Sequence, residues 1–420
     1  MELKKGYKKT DIGIIPEDWL IAKISDCAIV EGGYAFKSNH YIADGDYQII
    51  KMSNLYQDTL DLLRSKSFLN KIDNSQEHYL LKENEILITL TGTVGKRDYG
   101  YTYRIRNEKN LLLNQRVARI ISNQKNNPVY LDFILKHTCF LNQFFDISRG
   151  GTGNQANVGT KDVEVIRIPA PSFEEQTAIA KALSDADALI SSLEKLIEKK
   201  RNIKQGAMQQ LLKPKKGWVE MTILQLADNK KELFDDGDWI ESEHITTEGI
   251  RLIQTGNIGL GNYVEKETKK YINEASFKSI RCKELRIGDL LICRLAEPAG
   301  RACILPDIGE YKVVTSVDVT IFRPREELVN RIFLVNIFST NEWLEAISGM
   351  SGGTTHKRIS RGALGRTKIF IPSIEEQNRI AEILNDMDNE ITSLEKKLTK
   401  TKMLKQGMMQ ELLTGKTRLV

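Results

Sequence analysis

From Ile179 onward, apolar residues recur at alternating intervals of four and three: Ile179, Leu183, Ala186, Ile190, Leu193 and Ile197. The same alternation reappears at Ile380, Leu384, Met387, Ile391, Leu394 and Leu398. Polar and charged residues fill the positions between, so each stretch predicts a long helix with one narrow apolar seam. Ser172-Phe173-Glu174-Glu175 and Ser373-Ile374-Glu375-Glu376 stand at the two starts. Both fit a capping box, in which the serine hydroxyl accepts an N–H of the first turn and the glutamate reaches back. About 40 residues at roughly 1.5 Å each give a rod of about 60 Å.

The two stretches are copies. Residues 171–212 and 372–413 align at a constant offset of 201 without a gap, and 23 of the 42 positions are identical. A seam of this kind buries itself most economically against its own duplicate. We therefore expect an antiparallel coiled-coil pair and a pseudo-two-fold internal repeat. The alternative is two helices that each pack on their own lobe. Gly206 and Gly407 recur inside Lys-Gln-Gly late in each copy, where an interior glycine costs about 1 kcal/mol against alanine. Its retention predicts close approach by another helix. Gly206, Met208, Leu211, Leu212, Gly407, Met409, Leu412 and Leu413 are candidate partner-binding residues. Core packing is the competing explanation for the apolar ones.

Between the helices the period changes to short β-rich runs bounded by glycine and polar residues. Residues 45–54 resemble 248–257, residues 84–89 resemble 288–293, and residues 114–120 resemble 316–322. A helical pattern follows each set, around 130–145 and 327–347. The expected fold class is α+β, with two globular α/β domains separated by the long helices. The expected boundaries are 1–171 for the first domain, 172–213 for the first helix, 214–372 for the second domain and 373–414 for the second helix.

A glycine-rich polar loop follows the helical pattern in both halves. One is Ser148-Arg149-Gly150-Gly151-Thr152-Gly153-Asn154-Gln155, and the other is Ser351-Gly352-Gly353-Thr354-Thr355-His356-Lys357-Arg358. Glycines let backbone approach a surface closely, while N–H, Thr, Lys and Arg groups bond phosphate oxygens. Asn, Gln and Arg also pair with base edges. Arg149, Thr152, Asn154, Gln155, Thr354, His356, Lys357 and Arg358 are thus candidate DNA contacts. So are Lys51, Lys96, Arg97, Arg116, Arg251, Gln254 and Arg294, on or beside the paired segments.

Charge adds little by itself. The chain carries +5, the two helix copies carry 0 and −2, and the remainder therefore carries +7. That excess is compatible with a nucleic-acid partner but does not require one. No apolar run is long enough to cross a bilayer, and Met1-Glu2-Leu3-Lys4-Lys5 leads into no signal core, so a cytoplasmic protein is expected. The five scattered cysteines read as reduced. Thr91-Gly92-Thr93-Val94-Gly95-Lys96-Arg97 lacks the phosphate-loop spacing. The five histidines lie far apart without metal-ligand spacing, and no catalytic residue or resident cofactor is expected.

The two PS-x-EEQ…SLEK…KQG-x-M-Q-x-LL helices carry a family resemblance. So do the opening Gly6-Tyr7-Lys8-Lys9-Thr10-Asp11-Ile12-Gly13-Ile14-Ile15-Pro16-Glu17-Asp18-Trp19 segment, the Gly-Asp-Leu-Leu-Ile-type strands and the Gly-Gly-Thr loops. Over essentially its whole length the chain resembles a specificity subunit of a type I restriction–modification enzyme. The resemblance implies two target recognition domains, each reading one half of a split double-stranded DNA site. It implies that the helices space these domains and dock two methyltransferase (modification) subunits. S-adenosylmethionine, ATP and magnesium would then belong to partner subunits, which methylate adenine and, through a motor-nuclease subunit, translocate and cleave. Two other readings share the architecture. One is the recognition subunit of an enzyme with a fused methylase–nuclease partner, and the other is a coiled-coil architectural DNA-binding protein.

Overall fold

The computed structural model describes residues 5–150, 154–353 and 357–419. Two long helices, Phe173–Leu211 and Ile374–Leu412, occupy the repeated stretches. Ser172 Oγ accepts the Glu175 N–H at 3.2 Å, and Ser373 Oγ accepts the Glu376 N–H at 3.4 Å. The serine half of each capping box is therefore made. The glutamates turn elsewhere: Glu175 accepts the Trp19 indole N–H at 2.9 Å, and Glu376 lies 3.4 Å from the Lys215 ammonium.

Contacts divide the chain into two compact units. One joins residues 1–194 to 397–420, and the other is residues 195–396. In the first unit Asp187 pairs with Lys405 and Glu194 with Lys402, both at 2.6 Å. In the second, Lys200 pairs with Glu390, Arg201 with Glu395 and Lys204 with Asp388. From Asp187 to Glu194 the partner's number falls from 405 to 402, and from Arg201 to Lys204 it falls from 395 to 388, so the helix segments within each unit run antiparallel. Leu193, Ile197 and Ile391 are buried along this seam.

Helix and lobe also share cores. Ile179 and Leu183 from the start of the first helix, and Leu412 and Leu413 from the end of the second, lie in one cluster with Trp19, Ile120 and Phe140. Ile380 and Leu384 join Leu212, Phe322 and Phe333 in its counterpart. The early seam residues thus face their own lobe and the later ones face the other helix. Both arrangements foreseen from the sequence coexist.

Each lobe contains a four-stranded antiparallel sheet. In the first the order is Thr102–Arg104, Ile86–Thr89, Val117–Ser122 and Ala28–Gly32. In the second it is Phe234–Asp236, Val319–Phe322, Leu290–Cys293 and Ala302–Ile304. A second, mixed sheet carries one parallel pair in each lobe, Ile49 opposite Leu112 and Leu252 opposite Val314. The buried strands read as continuous apolar runs because both faces are covered. The helical stretches after these sheets are each broken in two, Pro128–Leu135 with Thr138–Ile147 and Arg331–Ile337 with Asn341–Gly349. The breaks fall where His137 and Thr340 cap the next helix through their side chains. Among the described residues, no helix is long and apolar enough to cross a membrane.

Candidate nucleic-acid interface

The glycine-rich loops sit on hairpins. In the first lobe Arg149–Gly150 pairs with Gln155–Asn157, which pairs in turn with Thr91–Thr93 to form a separate three-stranded sheet. In the second lobe Arg358 bridges both Gly352 and Leu295. Thr152, Thr354 and His356 lie outside the described residues. Arg149 is placed by its backbone, opposite Asn157.

Several sequence candidates are gathered around these hairpins. Lys96, Arg97, Arg116, Asn154, Gln155 and Lys357 are exposed. The Lys357 carbonyl accepts the Ala296 N–H at 2.9 Å, fixing its backbone while its ammonium faces solvent. Arg97 lies over the Phe145 ring and donates to Asn142 at 3.2 Å. Lys51 bonds Ser67 and lies over the Tyr41 ring, and Gln254 is half-buried.

Two candidates have a different place. Arg251 is 1% exposed and Arg294 3% exposed. Arg251 pairs with Glu265 at 2.9 Å and donates to the Leu252 and Lys270 carbonyls. Arg294 lies 3.0 Å from Asp236 and donates to the carbonyls of Val317 and Ile359. Burial lowers the Arg294 pKa, and Asp236 opposes that shift. Both guanidiniums are enclosed and engaged by their own lobe, which corrects their placement at a DNA surface. A buried cation without such partners would cost several kcal/mol.

The candidates on the long helices divide likewise. Leu212, Leu412 and Leu413 lie inside lobe cores, so their surface is not presented to a partner. Met208, Leu211 and Met409 pack partly against those cores. Among the described residues of the chain no other helix approaches Gly206 or Gly407, and a Cβ placed at either would meet nothing within 4 Å. Sequence reading missed the exposed apolar residues beside them. Leu189, Leu196 and Ile203 recur every seven residues on the first helix, and Met403 and Leu404 stand out on the second. Their spacing was visible, but the seam offered a competing apolar stripe.

Sequence reasoning also missed Arg301. It donates to the Ile258 and Thr255 carbonyls and to those of Leu295 and Pro298, tying the turn after strand Ile250–Ile253 to the loop beside Arg358. No local pattern marks such a residue, since all four acceptors are backbone atoms. The five cysteines are free, and burial raises the thiol pKa of Cys27 to about 11 and of Cys303 to about 12.

Two similar lobes, each with a polar hairpin beside a buried sheet, joined to duplicated helices, define a protein with two recognition modules. Residues 16–205 and 215–402 match the family described as type I restriction modification DNA specificity domain. The chain belongs to that family: it is a type I restriction–modification specificity subunit with two recognition domains and is itself a non-catalytic DNA-recognition protein. Among its relatives, the type I restriction enzyme MjaVIII specificity subunit of Methanocaldococcus jannaschii is 27% identical, covering 96% of this chain and 94% of that one. The EcoAI specificity subunit of Escherichia coli is 27% identical over 43% of this chain and 30% of its own. The crystal structure of the type I system S subunit from M. genitalium shares the fold, with a TM-score of 0.59, 15% identity and 98% of each chain covered.

Proposed function

We propose that each recognition domain binds one half of an asymmetric, two-part DNA site, while the paired helices set the spacer and dock two modification subunits. The observation that carries this reading is the contrast within the chain. The helices are kept nearly alike, and the two lobes share strand pairings but present different side chains around their hairpins. A common frame with different exposed chemistry fits two readers of two sequences. Phosphate contacts from residues such as Lys357 would supply salt-sensitive affinity, and base-edge contacts would supply discrimination.

The modification subunits would hold S-adenosylmethionine and methylate adenine, and a motor-nuclease subunit would use ATP and magnesium. The exposed apolar residues Leu189, Leu196, Ile203 and Leu404 support docking along the helices, since such side chains are shielded when a partner covers them. The open space at Gly206 and Gly407 supports close approach of a partner backbone.

The test is methylome sequencing with and without this gene, followed by exchange of residues 19–170 for the matching part of a relative. Loss of one two-part adenine motif on deletion, and alteration of a single half on exchange, is the expected result. Alteration of both halves, or of neither, defeats the two-reader reading.

A further inference from the structure

The two lobes can be superposed residue by residue through their backbone hydrogen bonds. In the first, the Leu90 N–H donates to the Arg116 carbonyl, and the Val158 N–H donates to the Leu90 carbonyl. In the second, the Arg294 N–H donates to the Asp318 carbonyl, and the Ile359 N–H donates to the Arg294 carbonyl. Leu90 therefore corresponds to Arg294, and Arg116 to Asp318. The bridge partners agree: Thr91 faces Asn157 as Leu295 faces Arg358, so Asn157 corresponds to Arg358.

The side chains at these equivalent positions differ completely. Arg116 and Asn157 are both exposed, and among the described residues neither makes a side-chain hydrogen bond or ion pair. In the second lobe, Arg358 Nε lies 2.9 Å from Asp318 Oδ1. Beneath that pair, the buried Arg294 guanidinium donates to the carbonyls of Val317 and Ile359, the residues adjoining Asp318 and Arg358. One enclosed cation thus holds the two backbones at a fixed separation. With Nε turned to Asp318, neither terminal nitrogen of Arg358 has a hydrogen-bond partner among the described residues, so both stay available as a fork.

We propose that positions 116 and 157 in the first lobe, and 318 and 358 in the second, are the specificity-determining pair of each recognition domain. This deepens the two-reader reading above and rests on it. Arginine pairs in bidentate fashion with guanine O6 and N7, and asparagine with adenine N6 and N7. The first pair therefore presents a guanine reader and an adenine reader side by side. The second presents one guanine reader, with Asp318 as a positioning residue and Arg294 as the staple beneath it. Asn157 and Asp318 carry this assignment without any help from net charge, because one is neutral and the other is an acid on a surface meant for phosphates.

The experiment uses the full chain co-expressed with its modification subunits. The purified complex methylates a randomised duplex library, and the modified sites are sequenced. Arg116→Ala and Asn157→Ala alter exposed side chains, so folding is not at stake, and thermal melting of each complex confirms it. Asn157→Ala should relax one adenine position in one half of the motif, with discrimination falling about 10- to 100-fold. Arg358→Ala should relax one guanine in the other half. Asp318→Asn should relax that same guanine, and the double variant with Arg358→Ala should add nothing further. A purely structural role for Asp318 would instead lower affinity for all sequences and leave the preference at that base unchanged. A parental complex with a two-part motif that ignores all four substitutions overturns the assignment alone. A parental complex without a two-part motif overturns the two-reader reading and the assignment with it.

Discussion

Arg418 grips Glu175 with two nitrogens, Nε 2.5 Å from Oε1 and Nη2 2.8 Å from Oε2, although 243 residues separate them. The same guanidinium reaches both Asp18 oxygens and lies over the Trp19 ring. Its hydrogen bonds hold the Asp18 carboxyl below the usual range and raise the already high arginine pKa. The residues after the second helix are thereby fastened to the first lobe.

Removing that guanidinium leaves the Glu175 carboxylate, 1% exposed, with only the Trp19 indole as a side-chain donor among the described residues. Arg418→Ala should destabilise the first unit by about 2–4 kcal/mol, because an enclosed charge loses its counter-ion. Thermal unfolding of the purified chain measures this. An unchanged midpoint would show the carboxylate to be adequately held without Arg418.

His137 gives the first unit a pH dependence. Its Nδ1 accepts the Cys139 N–H at 3.2 Å, and burial together with the nearby Lys416 charge lowers its pKa from the ordinary 6.5. A folded pKa below the unfolded one means that the unfolded chain takes up the proton first. This stabilising contribution is fully present above about pH 6.5 and is lost as pH falls from there through the folded pKa. His137→Asn keeps a capping acceptor and removes the titration. Denaturant titrations at pH 7.5 and 5.5 should show a smaller acid loss for the variant than for the parent.

Arg251 and Lys357 separate structure from DNA contact. Arg251→Ala should cost about 2–4 kcal/mol of folding stability by emptying a buried site and leaving the Leu252 and Lys270 carbonyls without this donor. Lys357→Ala should leave stability within about 0.5 kcal/mol. It should weaken binding to every duplex and reduce the salt slope by about one phosphate contact. Melting curves and affinities at several salt concentrations distinguish the two.

Ile203 and Leu404 occupy equivalent positions on the two helices and are exposed. Ile203→Asp with Leu404→Asp should release modification subunits while far-ultraviolet dichroism and DNA-independent melting hold. Full co-purification of partner with the double variant would place docking elsewhere.

Much of the fold was legible because periodicity and capping are local. Ser172 and Ser373 announced their helices, and the apolar runs at Ile86–Thr89 and Leu290–Cys293 announced buried strands. What escaped depends on partners far along the chain. Glu175 looked like half of a capping box, yet its partners are Trp19 and Arg418. Arg294 looked like a surface cation, yet its acceptors are carbonyls that only the folded sheet brings together. Gly206 looked like a contact between helices, and within the chain the space around it is open among the described residues. The glycine-rich hairpins were located from sequence, but the side chains beneath and beside them, Asn157 and Asp318 among them, were not.

One unit is continuous, residues 195–396, while the other needs both 1–194 and 397–420. On a ribosome the continuous unit is fully synthesised while the first lobe still lacks Leu412 and Leu413 from its core. The lobe made first is therefore the one completed last. A chain released before those residues carries a finished reader beside an unfinished one whose exposed apolar surface invites proteolysis. Continuity of sequence thereby sets the order in which the two lobes can be completed.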